Sequence, residues 1–135
     1  MNYRKKFFLH STTSIVLGGA GLIGEQASLA LSSMGSNIII LDIDKKKGKS
    51  IVQKVHKNGG NANYIFFNCN NENDIKKNFL KIIKKNLNPS IFVDCSYPRT
   101  KDWKRNNFDQ ISYESLKKKY FNKFKFKYLA VKNIC

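Results

Sequence analysis

The chain has 135 residues, enough for one domain with a hydrophobic core but short for a complete two-halved nucleotide-binding enzyme. Its 25 Lys and Arg outweigh 9 Asp and Glu to give a formal net charge of +16, which first raises a nucleic acid or an acidic membrane surface as partner. Lys greatly outnumbers Arg and is spread through every predicted helix, so the charge reads as solvated faces; recognition of phosphate or bases would favour the planar fork of Arg, and specific nucleic-acid binding is not expected.

Arg4, Lys5 and Lys6 stand before an apolar patch and imitate a signal peptide. His10 and the run Ser11 to Ser14 interrupt that patch, and the next apolar run is needed as a strand, so secretion is rejected and a cytoplasmic setting expected. The first strand is predicted at Ser14–Leu17, followed by a glycine-rich turn and a helix over Leu22–Met34 that Gly35 stops. A second strand, Asn37–Leu41, ends at Asp42, and a second helix spans Asp44–Asn58, with Asp44 as its cap and Gly59-Gly60 after it. A third strand is predicted at Asn63–Phe67. Glu72–Asn86 forms a third helix, with Ile75, Phe79, Ile82 and Ile83 on one face. Pro89 blocks further helix, Ile91-Phe92-Val93 is a short buried strand, and a polar loop leads to a last helix from Ser112. No run is long enough for a membrane span. Strands and helices alternate throughout. This order predicts a single, partial α/β domain over 1–135: a Rossmann-like open parallel sheet of about four strands with helices on both faces, its ligand at the carboxyl ends of strands one and four.

The turn after the first strand carries the chemistry. In Gly18-Gly19-Ala20-Gly21-Leu22-Ile23-Gly24, Gly18 permits the tight turn off the strand, Gly21 lets backbone N–H groups approach a pyrophosphate, and Gly24 lets the helix pack against the sheet. The phosphates would sit on the positive end of that helix, at the N–H groups around Leu22 and Ile23. Asp42 lies eighteen residues beyond Gly24, close to the roughly 20 residues expected for a carboxylate that receives the adenosine ribose hydroxyls. A carboxylate there favours NAD over NADP, because a 2′-phosphate would meet a like charge. No Gly-Lys-Ser/Thr follows, which disfavours a nucleoside-triphosphatase loop. Cys69, Cys95 and Cys135 have no short paired spacing, and His10 and His56 are isolated, so neither a metal site nor a disulfide framework is expected.

From Ser14 to Cys135 the chain resembles the N-terminal half of the short-chain dehydrogenase/reductase family. The glycine loop is similar to that family's T-G-x-x-G-x-x-G form, with Leu17 in place of Thr. The resemblance implies a contact from Asn68 to the adenine, where the family usually has Asp. It also places Asp94 and Cys95 at the cofactor floor, where the family usually shows two asparagines. The segment Tyr97-Pro98-Arg99-Thr100, with Asp102-Trp103 and Ile111-Ser112-Tyr113, looks like a branch associated with bacterial surface-sugar or flagellin-glycan biosynthesis.

The family's catalytic Ser, Tyr and Lys normally lie beyond a fifth strand. Tyr113 and Lys117 have the Tyr-x-x-x-Lys spacing, yet no strand separates them from the fourth, and the pair reads as a coincidence. No catalytic residue is therefore expected. The resulting expectation is an N-terminal fragment of an NAD-dependent oxidoreductase whose full-length relatives act on a sugar-like alcohol or ketone. Such a fragment binds a dinucleotide, meets a small-molecule substrate only if completed by a C-terminal half, and belongs to a family in which oligomers occur. A non-catalytic nucleotide-binding or regulatory module and a basic nucleic-acid binder are the alternatives.

Overall fold

The computed structural model describes residues 7–68, 73, 77, 80–82, 89–96, 112–115 and 117. Its elements are β1 (Thr13–Leu17), α1 (Leu22–Ser33), β2 (Asn37–Asp42), α2 (Lys45–Lys57), β3 (Ala62–Phe66) and β4 (Ile91–Asp94). The four strands form one parallel sheet in the order β3-β2-β1-β4. In the register, Leu17 pairs with Leu41 on one side and Asp94 on the other, while Asp42 pairs with Phe66. All four carboxyl ends consequently meet at one edge of the sheet.

The apolar runs of β1 and β2 follow from burial on both faces of a parallel sheet. Side chains alternate across the pleat. Ile15, Leu17, Ile39 and Leu41 point to one side and pack with Phe67 and Ile82, the latter from helical residues 80–82. Val16, Ile38 and Ile40 point to the other side, where Ile51 and Val55 of α2 and Ala27, Leu29 and Leu31 of α1 cover them. Helices thus lie against both faces. Polar groups inside this core are paired: Ser28 Oγ donates to the Gly24 carbonyl at 2.8 Å, and the Ser14 and Ser36 hydroxyls lie 2.7 Å apart.

The predicted boundaries shift by a residue or so. β2 runs through Asp42 because that residue still pairs with Phe66, and β4 extends to Asp94 because it still pairs with Leu17. β3 starts at Ala62, opposite Ile38, and ends before Phe67, whose side chain turns into the core while its N–H donates to the Asp42 carbonyl. Asp44 caps α2 by accepting from Lys47 N–H at 3.0 Å. Residues 73, 77 and 80–82 are helical within the predicted third helix, as are 113–115 and 117 near the start of the predicted last one; the rest of both predictions lies outside the described residues. Among the described residues no helix is long and apolar enough to cross a membrane.

Candidate functional site

The glycine loop joins the carboxyl end of β1 to the start of α1. Gly18 has φ +69°, the left-handed region that favours glycine, and its N–H donates to the Leu41 carbonyl at 2.8 Å. A Cβ at Gly18 would lie 2.7 Å from Ser96 N and 2.8 Å from the Cys95 carbonyl, so the loop is pressed against the chain leaving β4. Gly24 is buried against the loop itself: its Cβ would run into the Gly18 carbonyl oxygen and approach Gly19 Cα to 2.7 Å. The space denied at Gly24 is therefore denied by the turn, where sequence reasoning assigned it to helix–sheet packing.

Gly21 differs from both. It is the N-cap of α1 with an ordinary extended conformation, φ −77° and ψ 170°, and offers no side-chain cap. The nearest atom to an added Cβ is the Gly18 carbonyl oxygen at 3.3 Å, with otherwise open space around it. The N–H of Gly21 donates to the Gly18 carbonyl and its carbonyl accepts from Glu25 N–H. Leu22, Ile23 and Gly24 follow as the first helical turn, whose N–H groups have no acceptor within the helix. Leu22 and Ile23 are 90% and 76% exposed. A helix end with open N–H groups, a positive dipole and no side chain in front suits an anion.

Asp42 stands beside this loop. Its Oδ2 accepts from the Ala20 N–H at 3.0 Å and its Oδ1 from the Asp44 N–H at 2.9 Å. Two carboxylate oxygens have about four acceptor positions in all, so one remains on each oxygen for an incoming hydroxyl. The Asp42 carbonyl accepts twice more, from Phe67 N–H at 3.0 Å and Tyr64 Oη at 2.8 Å. Tyr64 was not among the residues expected from sequence. Burial pushes its hydroxyl pKa above the ordinary 10.0, and the charges of Asp42 and then Asp44 push it the same way, so it stays a donor. Gly48 makes room for it, since a Cβ there would collide with the Tyr64 ring. A glycine inside the lysine-rich α2 was the one available signal of such a close approach.

The other predicted positions lie at the same sheet edge. Asn68, two residues past β3, is half-buried. Asp94 ends β4, and its Oδ1 accepts from Ser96 N–H at 2.9 Å and Ser96 Oγ at 2.6 Å, while Cys95 N–H donates to the Leu17 carbonyl. Direct contacts thus join the glycine loop to Asp42 on one side and to Asp94–Ser96 on the other. Tyr113 is three-quarters exposed on a helical turn that also precedes Lys117. Tyr97 to Asp102 and Trp103 lie outside the described residues. Among the described residues, no group of three His, Cys, Asp or Glu side chains is placed to hold a metal ion.

No protein-family model matches the chain. It is 31% identical over 68 residues to the uncharacterised oxidoreductase YxbG of Bacillus subtilis strain 168, a match covering 50% of this chain and 25% of that protein. An uncharacterised oxidoreductase of Thermotoga maritima is 30% identical over 87 residues, or 64% of this chain and 30% of the relative. Among solved structures, a metagenomic short-chain oxidoreductase in complex with NADP superposes with a TM-score of 0.75 at 15% identity, covering 93% of this chain and 55% of that one. At such identity the likeness speaks for the fold. The chain spans about half the length of the solved dehydrogenases and reductases it matches. In sequence the chain is thus similar to uncharacterised oxidoreductases, and in fold to solved dehydrogenases and reductases, among them a short-chain oxidoreductase.

Proposed function

We propose that this chain is the dinucleotide-binding part of an oxidoreductase, with NAD as its cofactor and a sugar-like alcohol or ketone as the substrate of the whole enzyme. The observation that carries the reading is the open N-terminus of α1 at Gly21, with the Asp42 carboxylate held 3.0 Å from the adjoining Ala20 N–H. The pyrophosphate would rest on the N–H groups of Leu22, Ile23 and Gly24, with Gly18 and Gly19 shaping the turn beneath it. Asp42 would accept the ribose hydroxyls, Asn68 the adenine amino group, and Asp94 and Cys95 would form the floor. Bound NAD supplies a hydride acceptor, and its reduced form a hydride donor.

The preference for NAD rests on Asp42, whose negative charge would face a 2′-phosphate. The NADP held by one structural neighbour belongs to that protein. A surface-sugar role rests on the sequence from Tyr97 to Thr100 and is proposed with a cytoplasmic location as its setting. Completion of the substrate site by further chain is part of the proposal. A second reading, a nucleotide-binding module without turnover, is favoured by Asp94, whose carboxylate is engaged with the Ser96 turn where the family usually has an amide.

Titration of the purified chain with NADH, followed by nicotinamide fluorescence, tests the proposal. Wild type should bind NADH more tightly than NADPH, and Gly21→Val should lose about tenfold or more in NADH affinity while remaining folded with only a small drop in melting temperature, because its side chain stands over the helix end with the Gly18 carbonyl oxygen as its one close neighbour. Equal NADH binding by Gly21→Val would remove the phosphate site from this loop.

A further inference from the structure

Asp42 is held by four hydrogen bonds that reach it from three parts of the fold. The glycine loop donates through Ala20 N–H, the α2 cap residue through Asp44 N–H, and β3 with the residue that follows it through the Tyr64 hydroxyl and Phe67 N–H. The first two act on the carboxylate and the last two on the carbonyl of the same residue. Tyr64 is the one side chain among these donors, so it is the element of the arrangement that a substitution can remove cleanly. Its ring lies in the space left by Gly48 on α2, and its hydroxyl reaches back to β2 at 2.8 Å.

That arrangement fixes the peptide that follows Asp42. The orientation of its carbonyl is set by Tyr64 and Phe67, and the same peptide links Asp42 to Ile43 at the end of β2. The torsion angle that turns this carbonyl is adjacent to the Cα that bears the carboxylate. Rotation about it leaves Cβ in place but swings the chain that follows and, with it, the Asp44 N–H that holds Oδ1, so a loose carbonyl loosens the carboxylate through that contact. Phe67 N–H alone would leave the carbonyl a single donor and the strand end a wider range of positions.

We propose that Tyr64 is a positioning residue for the Asp42 carboxylate, aiming it at the ribose hydroxyls of a bound adenine nucleotide, with Gly48 providing the seat for its ring. The inference rests on the dinucleotide reading and adds the residue that tunes its ribose contact. Tyr64 touches no ligand in this account. Its hydroxyl acts through the backbone of Asp42, so its effect is confined to the ribose end of the ligand, leaving the phosphate contacts at Leu22 to Gly24 in place. Burial keeps the hydroxyl protonated and hence a donor.

Calorimetric titration with two probes, ADP and 2′-deoxy-ADP, separates this role from general support of the fold. Wild type should favour ADP, because the 2′-hydroxyl meets the carboxylate. In Tyr64→Phe the ADP affinity should fall about threefold to tenfold, while that of 2′-deoxy-ADP, which keeps only its 3′-hydroxyl for the carboxylate, falls less, so that the ratio narrows. Gly48→Ala, which displaces the ring without altering the hydroxyl, should narrow it too. In an Asp42→Ala background, Tyr64→Phe should leave the ratio unchanged. An unchanged ratio in Tyr64→Phe with wild-type Asp42, or equal losses for both probes, would overturn the positioning role while leaving the dinucleotide reading intact. Failure of the wild-type chain to bind NADH and ADP alike would overturn the dinucleotide reading itself, and this role with it.

Discussion

The residues around Asp42 illustrate how one position is fixed by several unrelated parts of the sequence. Its carboxylate oxygens meet Ala20 and Asp44 N–H groups, and its carbonyl meets Phe67 N–H and the Tyr64 hydroxyl. The tyrosine also has a pH consequence. Its folded pKa lies above 10.0 through burial first and the Asp42 and Asp44 charges second, so the folded state holds the proton more strongly than the unfolded chain. The associated stability is complete below about pH 10 and is lost as pH rises from there through the folded pKa. Thermal melts between about pH 9 and 11 should show wild type losing stability more steeply than Tyr64→Phe, with the comparison cancelling the many lysines common to both. Parallel pH curves for the two proteins would contradict the assignment.

At the scale of elements, the start of α1 separates glycines that the fold needs from one, Gly21, that it constrains much less. Gly24 is tied to the turn by contact with the Gly18 carbonyl and Gly19 Cα, so Gly24→Ala must push the helix off its own loop. A cost of about 1–3 kcal/mol, typical of overpacking, is expected in urea unfolding, against a much smaller change for Gly21→Ala. Equal stability in the two variants would show that the close approach at Gly24 does not operate in solution.

Much of this element was legible beforehand. The run Ser14–Leu17, the glycines, and Asp42 after a second apolar run specify strand, turn, helix and strand by periodicity and turn chemistry, which are local. The alternating burial of Ile38 to Leu41 on two faces likewise follows from an uninterrupted apolar strand. What was not legible depends on side chains from distant positions meeting. Tyr64 reads in the sequence as an ordinary strand aromatic, and only the pairing of β3 with β2 brings its hydroxyl to Asp42. The role given to Gly24 was likewise misplaced, because the nearest obstacle is the loop and not the sheet. The engagement of Asp42 by Ala20 N–H depends on the curvature of a turn that spacing does not encode.

For the molecule as a whole, the carboxyl edge of the sheet gathers the glycine loop, Asp42, Asn68 and Asp94 into one neighbourhood, as expected for a parallel sheet in the order β3-β2-β1-β4. The remaining surface complicates any binding measurement. With a net charge of +16 and Lys45, Lys46, Lys47, Lys49, Lys54 and Lys57 on α2 alone, the chain should attract polyphosphates non-specifically at low salt. Affinity for a dinucleotide therefore has to be located as well as measured. The most direct test is an amide NMR titration with NADH at about 0.3 M salt, where diffuse polyanion attraction has weakened. Saturable shifts concentrated at Leu22, Ile23 and Gly24, extending to Asp42, are predicted. Shifts confined to the lysines of α2, or none that saturate, would contradict dinucleotide binding at the glycine loop.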